Sequence, residues 1–194
     1  GSTFKLVTAI AAVEQNLVDF EEQFDTGEGE MDVYGLKIRD HDPLGIINFE
    51  EVIQKSSNVA TAQIAMRMEA DVFYQYARNM GFGTLTNVDL AGEVAGSLSK
   101  PFNWSAVTLP FLAHGYEVLT TPLQIASAYA AFANGGKLMR PYVVDKVVND
   151  KGRIIKENKP LEIRKIAKKK TLETLLPVFE SVLEDSGTAG WADV

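Results

Sequence analysis

Thr121-Pro122 and Asn134-Gly135-Gly136 bracket a segment with one comfortable conformation. A threonine N-cap followed by proline at the first helical position opens a helix, and an Asn-Gly-Gly run closes one. Between them Leu123, Ile125, Ala126, Tyr129, Ala130 and Phe132 recur at helical spacing, which predicts a helix that needs a core to pack on. A chain of 194 residues, 46% hydrophobic and 23% charged, can supply that core as one domain. This composition excludes disordered and fibrous classes.

Other segments repeat the helical theme. Ser2 to Leu17 places Leu6, Ile10, Val13 and Leu17 on one face. Asn48 with Glu51 forms a capping-box pattern for a short helix through Val52 and Ile53 to Lys55. Two stretches from Val59 to Met80 end at Gly81, a C′ glycine, and a loop rich in Gly, Asn and Pro follows to about residue 103. A last helix spans about Thr171 to Glu184, with Leu172, Leu175, Leu176, Phe179 and Leu183 inward and Pro177 as a kink. Strand signals are sparse: residues 21–47 read as a long loop with a short hairpin around Met31 to Ile38, building little core. A hairpin turns at Asn149-Asp150-Lys151-Gly152. The fold class predicted is mainly α with a small β-hairpin, without internal repeat or domain boundary.

Charge and composition narrow the chemistry. Nineteen Lys and Arg against twenty-six Asp and Glu give a net charge of −7, which disfavours nucleic acid and anionic membrane surfaces. The basic run Arg164-Lys165 and Lys168-Lys169-Lys170 then reads as a solvated face. The chain has no cysteine and only two histidines, His41 and His114, so neither a disulfide framework nor a multi-histidine metal site is expected. Both histidines read as surface or packing residues. Trp104, Trp191 and Phe111 read as packing residues, with Trp104 the one that also fits the edge of a cleft. No apolar run approaches the ~20 residues that span a bilayer. A start at Gly1 without methionine and a stop just after a Gly-rich turn are expected of a piece of something longer.

Two constellations carry chemistry. Ser2 and Lys5 lie three residues apart at a helix start, where a hydroxyl and an amine can meet within one turn. The lysine serves as a base only if burial and positive potential lower its pKa. The plainer reading of Ser2 is an N-cap, and Ser97-Leu98-Ser99-Lys100 shows how readily the spacing arises; there Pro101 pushes the preceding residue out of helical geometry. Ser56-Ser57-Asn58 is the second constellation, at a break between helices. It is either a helix cap or a hydroxyl and a carboxamide projected into a cleft, able to relay a proton and bind an amide.

Taken in order, Gly1-Ser2-Thr3-Phe4-Lys5-Leu6-Val7-Thr8, Gln54-Lys55-Ser56-Ser57-Asn58-Val59-Ala60, Gly81-Phe82-Gly83 and Gly115-Tyr116-Glu117-Val118-Leu119-Thr120-Thr121-Pro122-Leu123-Gln124, then Asn134-Gly135-Gly136, resemble the transpeptidase domain of class B penicillin-binding proteins, closest to the cell-division type. The resemblance covers nearly the whole chain. It implies a peptidoglycan D,D-transpeptidase that needs no metal or cofactor and that is acylated by β-lactams. Ser2 would attack the D-Ala-D-Ala carbonyl of a stem peptide, Lys5 would activate it, Ser56 would shuttle a proton, and Asn58 would bind the substrate amide and the lysine. It further implies a parent anchored to the cytoplasmic membrane with this domain extracytoplasmic, working with cell-division or elongation proteins.

The family's third motif, Lys-Thr-Gly, occurs nowhere in the 194 residues. The resemblance therefore implies a partial transpeptidase domain over 1–194, the helical lobe with most of the central sheet missing, weak or inactive alone. Apolar helix faces exposed by the missing sheet would favour self-association. The alternative is a non-catalytic interaction lobe or pseudoenzyme of the same fold. Class A β-lactamases add a deacylating glutamate, for which the sequence offers no clear counterpart.

Overall fold

The computed structural model describes residues 1–192. Ser2–Phe4 makes one 3-10 turn and runs directly into α1 (Lys5–Glu14). Every residue from Phe4 to Ala12 is buried. The periodicity predicts one buried face, but α1 is enclosed on all sides, as expected of a helix apolar around its circumference. It also ends earlier than Leu17, because Asn16 turns left-handed at φ 54° and Leu17 N–H bonds back to the Ala12 carbonyl at 2.9 Å.

The next segment corrects the expected long loop. β1 (Gln23–Asp25), β2 (Glu30–Val33), β3 (Leu36–Arg39) and β4 (Ile46–Asn48) form two antiparallel ribbons, β1 with β4 and β2 with β3. The β2–β3 hairpin matches expectation; the β1–β4 pair does not. Alternation sends Phe24, Val33, Ile38 and Ile47 inward, so this region builds core after all.

α2 (Phe49–Gln54) starts at the Asn48–Glu51 capping box, with both reciprocal hydrogen bonds at 3.0 Å. α3 (Asn58–Ala65) and α4 (Ala70–Asn79) follow, and α4 closes at Gly81. Beyond them come β5 (Ser97–Leu98), the short α5 (Thr108–Ala113), which no sequence pattern announces, and β6 (Val118–Leu119), paired with β5. α6 (Pro122–Ala133) has the N-cap and proline the sequence predicts, plus a capping box closed by Gln124.

The expected hairpin is a ribbon in two tiers. β7 (Lys137–Met139), β8 (Lys146–Val148), β9 (Ile154–Glu157) and β10 (Glu162–Lys165) nest, β7 with β10 near the core and β8 with β9 at the tip. α7 (Lys169–Glu180) holds Pro177 within it and passes into a 3-10 turn at Ser181–Leu183. Leu172 and Leu175 face inward as predicted, but Leu176 and Leu183 are exposed, and so is Trp191. Among the described residues the ten strands pair only in twos, five ribbons where the sequence predicts two short hairpins, so the chain is less dominated by helix than expected. These ribbons surround a helical core in which α1 packs against α3, α4, α5 and α7. No helix among the described residues is long and apolar enough to cross a membrane.

Candidate active site

The N-terminal turn of α1 is clamped from three directions. The Phe4 ring packs against Phe73 and Phe82, at 6.4 and 4.8 Å between centroids. The Tyr129 hydroxyl of α6 donates to the Thr3 carbonyl at 3.1 Å, and the Thr8 hydroxyl donates to the Ala113 carbonyl at the end of α5 at 2.8 Å. The chain then turns at Gly115, where a Cβ would come within 2.2 Å of the Gly1 carbonyl oxygen. Only glycine lets that segment seat beneath the first turn. Ser2 is left exposed on a rigid support, while Lys5, one turn on, is buried.

Ser56 reaches the same place from the other side, and its backbone is unusual. Five helices close with the same backward bond, from Leu17, Ser57, Phe82, Tyr116 and Gly136 N–H to the carbonyls of Ala12, Val52, Ala77, Phe111 and Ala131. Each closure needs a left-handed residue just before the donor. Asn16, Gly81, Gly115 and Gly135 fill four of these positions with residue types that tolerate the conformation; the fifth is Ser56, at φ 56°. The backward Ser57 bond and the Lys5 contact to the Ser56 carbonyl hold it there.

Lys5 Nζ donates to the Ser56 backbone carbonyl and, at 2.7 Å, to Ser56 Oγ. Burial lowers the Lys5 pKa to about 7 against the opposing influence of the Asp40 carboxylate. At neutral pH the ammonium and the free amine are both well populated, the condition the sequence alone leaves open. His114, at the end of α5, is pushed down to about 4 by burial and by the Lys5 charge, so it is neutral when Lys5 titrates. Its ring lies 5.8 Å from Phe111 and 5.0 Å from Tyr116, and neither nitrogen has a hydrogen-bond partner among the described residues. It packs, as expected. His41 is exposed.

Ser2, Lys5 and Ser56 line one cavity of about 420 Å³, whose opposite wall is apolar, from Tyr129, Phe132, Phe179, Val182 and Leu183. Thr188 also lines it, its N–H donating to the Gln54 carbonyl at 3.2 Å. Burial holds the Tyr129 hydroxyl up at about 12, so it acts as a neutral donor. A wider groove of about 940 Å³ lies by Glu14, Tyr76 and Lys168 at the other end of α1, but it contains no paired nucleophile and base. Chemistry, not size, selects the smaller cavity.

Asn58 is placed differently. It is not among the residues lining the cavity, and its carboxamide donates to the Arg39 carbonyl at 2.7 Å. Asp40 is the residue sequence reasoning missed, while Ser57 takes the helix-cap role read for the Ser-Ser-Asn run. Ser57 is the buried N-cap of α3, accepting from Ala60 N–H at 3.0 Å, and its hydroxyl donates to Asp40 at 2.8 Å. Asp40 had no local signal, because its partners lie 17–19 residues away. Ser97 and Lys100 stay apart from this site, with Ser97 on β5 and Lys100 extended at ψ 149° before Pro101. No cluster of three metal-ligating side chains occurs among the described residues.

Residues 1–193 match the family described as the penicillin binding protein transpeptidase domain. The chain is 34% identical to penicillin-binding protein PbpB of Mycolicibacterium smegmatis, covering 95% of this chain and 28% of that protein. It is 26% identical to peptidoglycan D,D-transpeptidase FtsI of Escherichia coli K12, covering 96% of this chain and 30% of that protein. The chain thus spans about a third or less of these relatives' length. Among solved structures, the transpeptidase domain of Burkholderia pseudomallei penicillin-binding protein 3 superposes with a TM-score of 0.88 at 28% identity, over 100% of this chain and 56% of that one. Penicillin-binding protein 3 of Mycobacterium tuberculosis, complexed with aztreonam, gives 0.89 at 29% identity, over 100% and 45%. A family match from residue 1 to residue 193, on a fold shared with these structures, means that the chain belongs to the penicillin-binding-protein transpeptidase family, on its class B branch.

Proposed function

We propose that this chain is the serine-bearing part of a peptidoglycan D,D-transpeptidase of the cell-division type. The observation that carries the reading is the buried Lys5, poised near pH 7 in one cavity with Ser2 and hydrogen-bonded to Ser56. The neutral Lys5 amine takes the Ser2 hydroxyl proton as Ser2 Oγ attacks the penultimate D-Ala carbonyl. Ser56 gives its hydroxyl proton to the departing D-Ala amine and takes one from the Lys5 ammonium, leaving an acyl-enzyme on Ser2 and a neutral Lys5. A second stem peptide's amine then attacks that ester, and the proton returns through the same pair. A β-lactam carbonyl presents the same electrophile, with a ring nitrogen as leaving group. Asn58 is assigned to the substrate amide, which requires its carboxamide to leave the Arg39 carbonyl. The Ser2 N–H is one oxyanion donor, and the second belongs to a strand outside these residues.

That strand, with the Lys-Thr-Gly motif, belongs to the central sheet of the fold. In this reading the chain is the helical lobe of a domain completed by the rest of a parent that is membrane-anchored, extracytoplasmic and partnered by division or elongation proteins.

Intact-mass spectrometry after incubation with a penicillin tests the proposal, on the 194-residue chain and on a polypeptide extended beyond Val194. Slow or absent labelling of the shorter chain is expected. The longer one should gain one adduct per molecule, mapped to Ser2 and lost in Ser2→Ala. An extended polypeptide that stays unlabelled would instead support a non-catalytic lobe.

A further inference from the structure

Asp40 lies just past β3, outside the cavity, yet its carboxylate organises the whole 56–59 turn. One oxygen accepts from Ser57 Oγ at 2.8 Å, and the other accepts from the backbone N–H groups of Asn58 and, at 3.0 Å, Val59. Ser57 caps α3 through the Ala60 N–H, and Asp40 completes that cap at the Asn58 and Val59 N–H groups. What Asp40 adds is a long-range tie: with the Arg39 carbonyl holding the Asn58 side chain, the end of the β2–β3 hairpin fixes the turn that presents Ser56 to Lys5. We propose that Asp40 is a positioning residue of the acid–base apparatus, holding the Ser56 turn against Lys5 and supplying the negative charge that balances the Lys5 ammonium.

The charges around Lys5 leave that second task to Asp40. α3 carries no charged residue, and neither does α6. Lys55 at the end of α2 is paired with Glu51 at 2.7 Å, and Arg78 of α4 donates to the Phe82 and Gly83 carbonyls. His114 on the α5 side is neutral in the relevant range, and Glu180 of α7 stands at the exposed rim of the cavity. Asp40 is the acid whose charge opposes the loss of the Lys5 proton.

Asp40→Asn removes the charge while keeping an oxygen for the Asn58 and Val59 amides; Asp40→Ala removes both. The Lys5 side chain is titrated by carbon-13 NMR in the wild-type chain and in Asp40→Asn. Its midpoint should move to lower pH in the variant, since the Asp40 charge no longer favours the ammonium across the turn. In the extended polypeptide, penicillin acylation of Ser2 should show an acid limb that moves down in Asp40→Asn. Asp40→Ala should slow the plateau rate by roughly tenfold or more, through loss of alignment. An unmoved Lys5 midpoint overturns the charge role, whatever the activity. Should Asp40→Ala fail to fold, the Asn variant decides alone. The acylation arm rests on Lys5 being the base, and failure there is separable: a wild-type protein never acylated at Ser2 rejects that reading, while one acylated with unaltered pH profiles in both variants rejects the role given to Asp40.

Discussion

A serine in the left-handed region costs about 1 kcal/mol relative to glycine, because its Cβ crowds the following carbonyl. Ser56 carries that cost at a position equivalent to Gly81 and Gly115. Two substitutions separate backbone from side chain. Ser56→Ala and Ser56→Gly both lose the hydroxyl that meets Lys5 and differ only in the Cβ. Chemical denaturation should find the glycine variant more stable than the alanine variant by about 1 kcal/mol, with both severely slowed in acylation. Equal stabilities would show that the turn holds no strain.

At the scale of elements, side chains that join two segments matter more than those that complete one. Gln124 closes the α6 capping box through its Oε1, which accepts from Thr121 N–H at 3.0 Å. Its Nε2 donates to the Thr84 and Ala95 carbonyls at 2.7 and 2.8 Å, tying α6 to the loop that precedes β5. Thr121→Ala should cost about 1 kcal/mol, an ordinary cap. Gln124→Ala strands two carbonyls and an amide besides, and should cost about 2–4 kcal/mol in urea unfolding. The sequence exposes the first role and hides the second, and the same division runs through the molecule. Helix ends were legible at Asn48, Gly81 and Thr121-Pro122 because caps act within four residues. Ser2, Lys5 and Ser56 were legible because their motifs are local and fall in a recognisable order. The β1–β4 pairing and Asp40 were not, since each depends on partners about 20 residues distant that leave no local periodicity. α5, only six residues long and flanked by no strong cap, gave too short a pattern to read.

Across the whole molecule, cohesion is uneven. The outer tier of the β7–β10 ribbon has every strand residue exposed, Lys146–Val148 and Ile154–Glu157 alike. It is tied back by Asp89, whose carboxylate accepts from Val143 and Val144 N–H at 2.8 and 3.0 Å and from the Asn158 side chain at 3.2 Å. Those backbone donors hold the Asp89 pKa below the usual carboxylate range. Asp89→Ala should therefore speed hydrogen exchange throughout β8 and β9 while leaving α1 and α6 protected and the global melting temperature nearly unchanged. Acidification should have the same local effect on the wild-type chain: the clasp is intact above the ordinary aspartate pKa and is released as pH falls through the lowered one.

The continuous burial from Phe4 through α1 to Ala12 also bears on how such a protein tolerates change. Ser2 stands on an exposed turn that runs into this enclosed stretch, so a changed side chain in that stretch disturbs the core that carries the nucleophile. Adjustment of what the cavity admits is less costly at Phe179, Val182, Leu183 and Thr188, which line the cavity away from the mount, than at Tyr129, whose hydroxyl holds the Thr3 carbonyl.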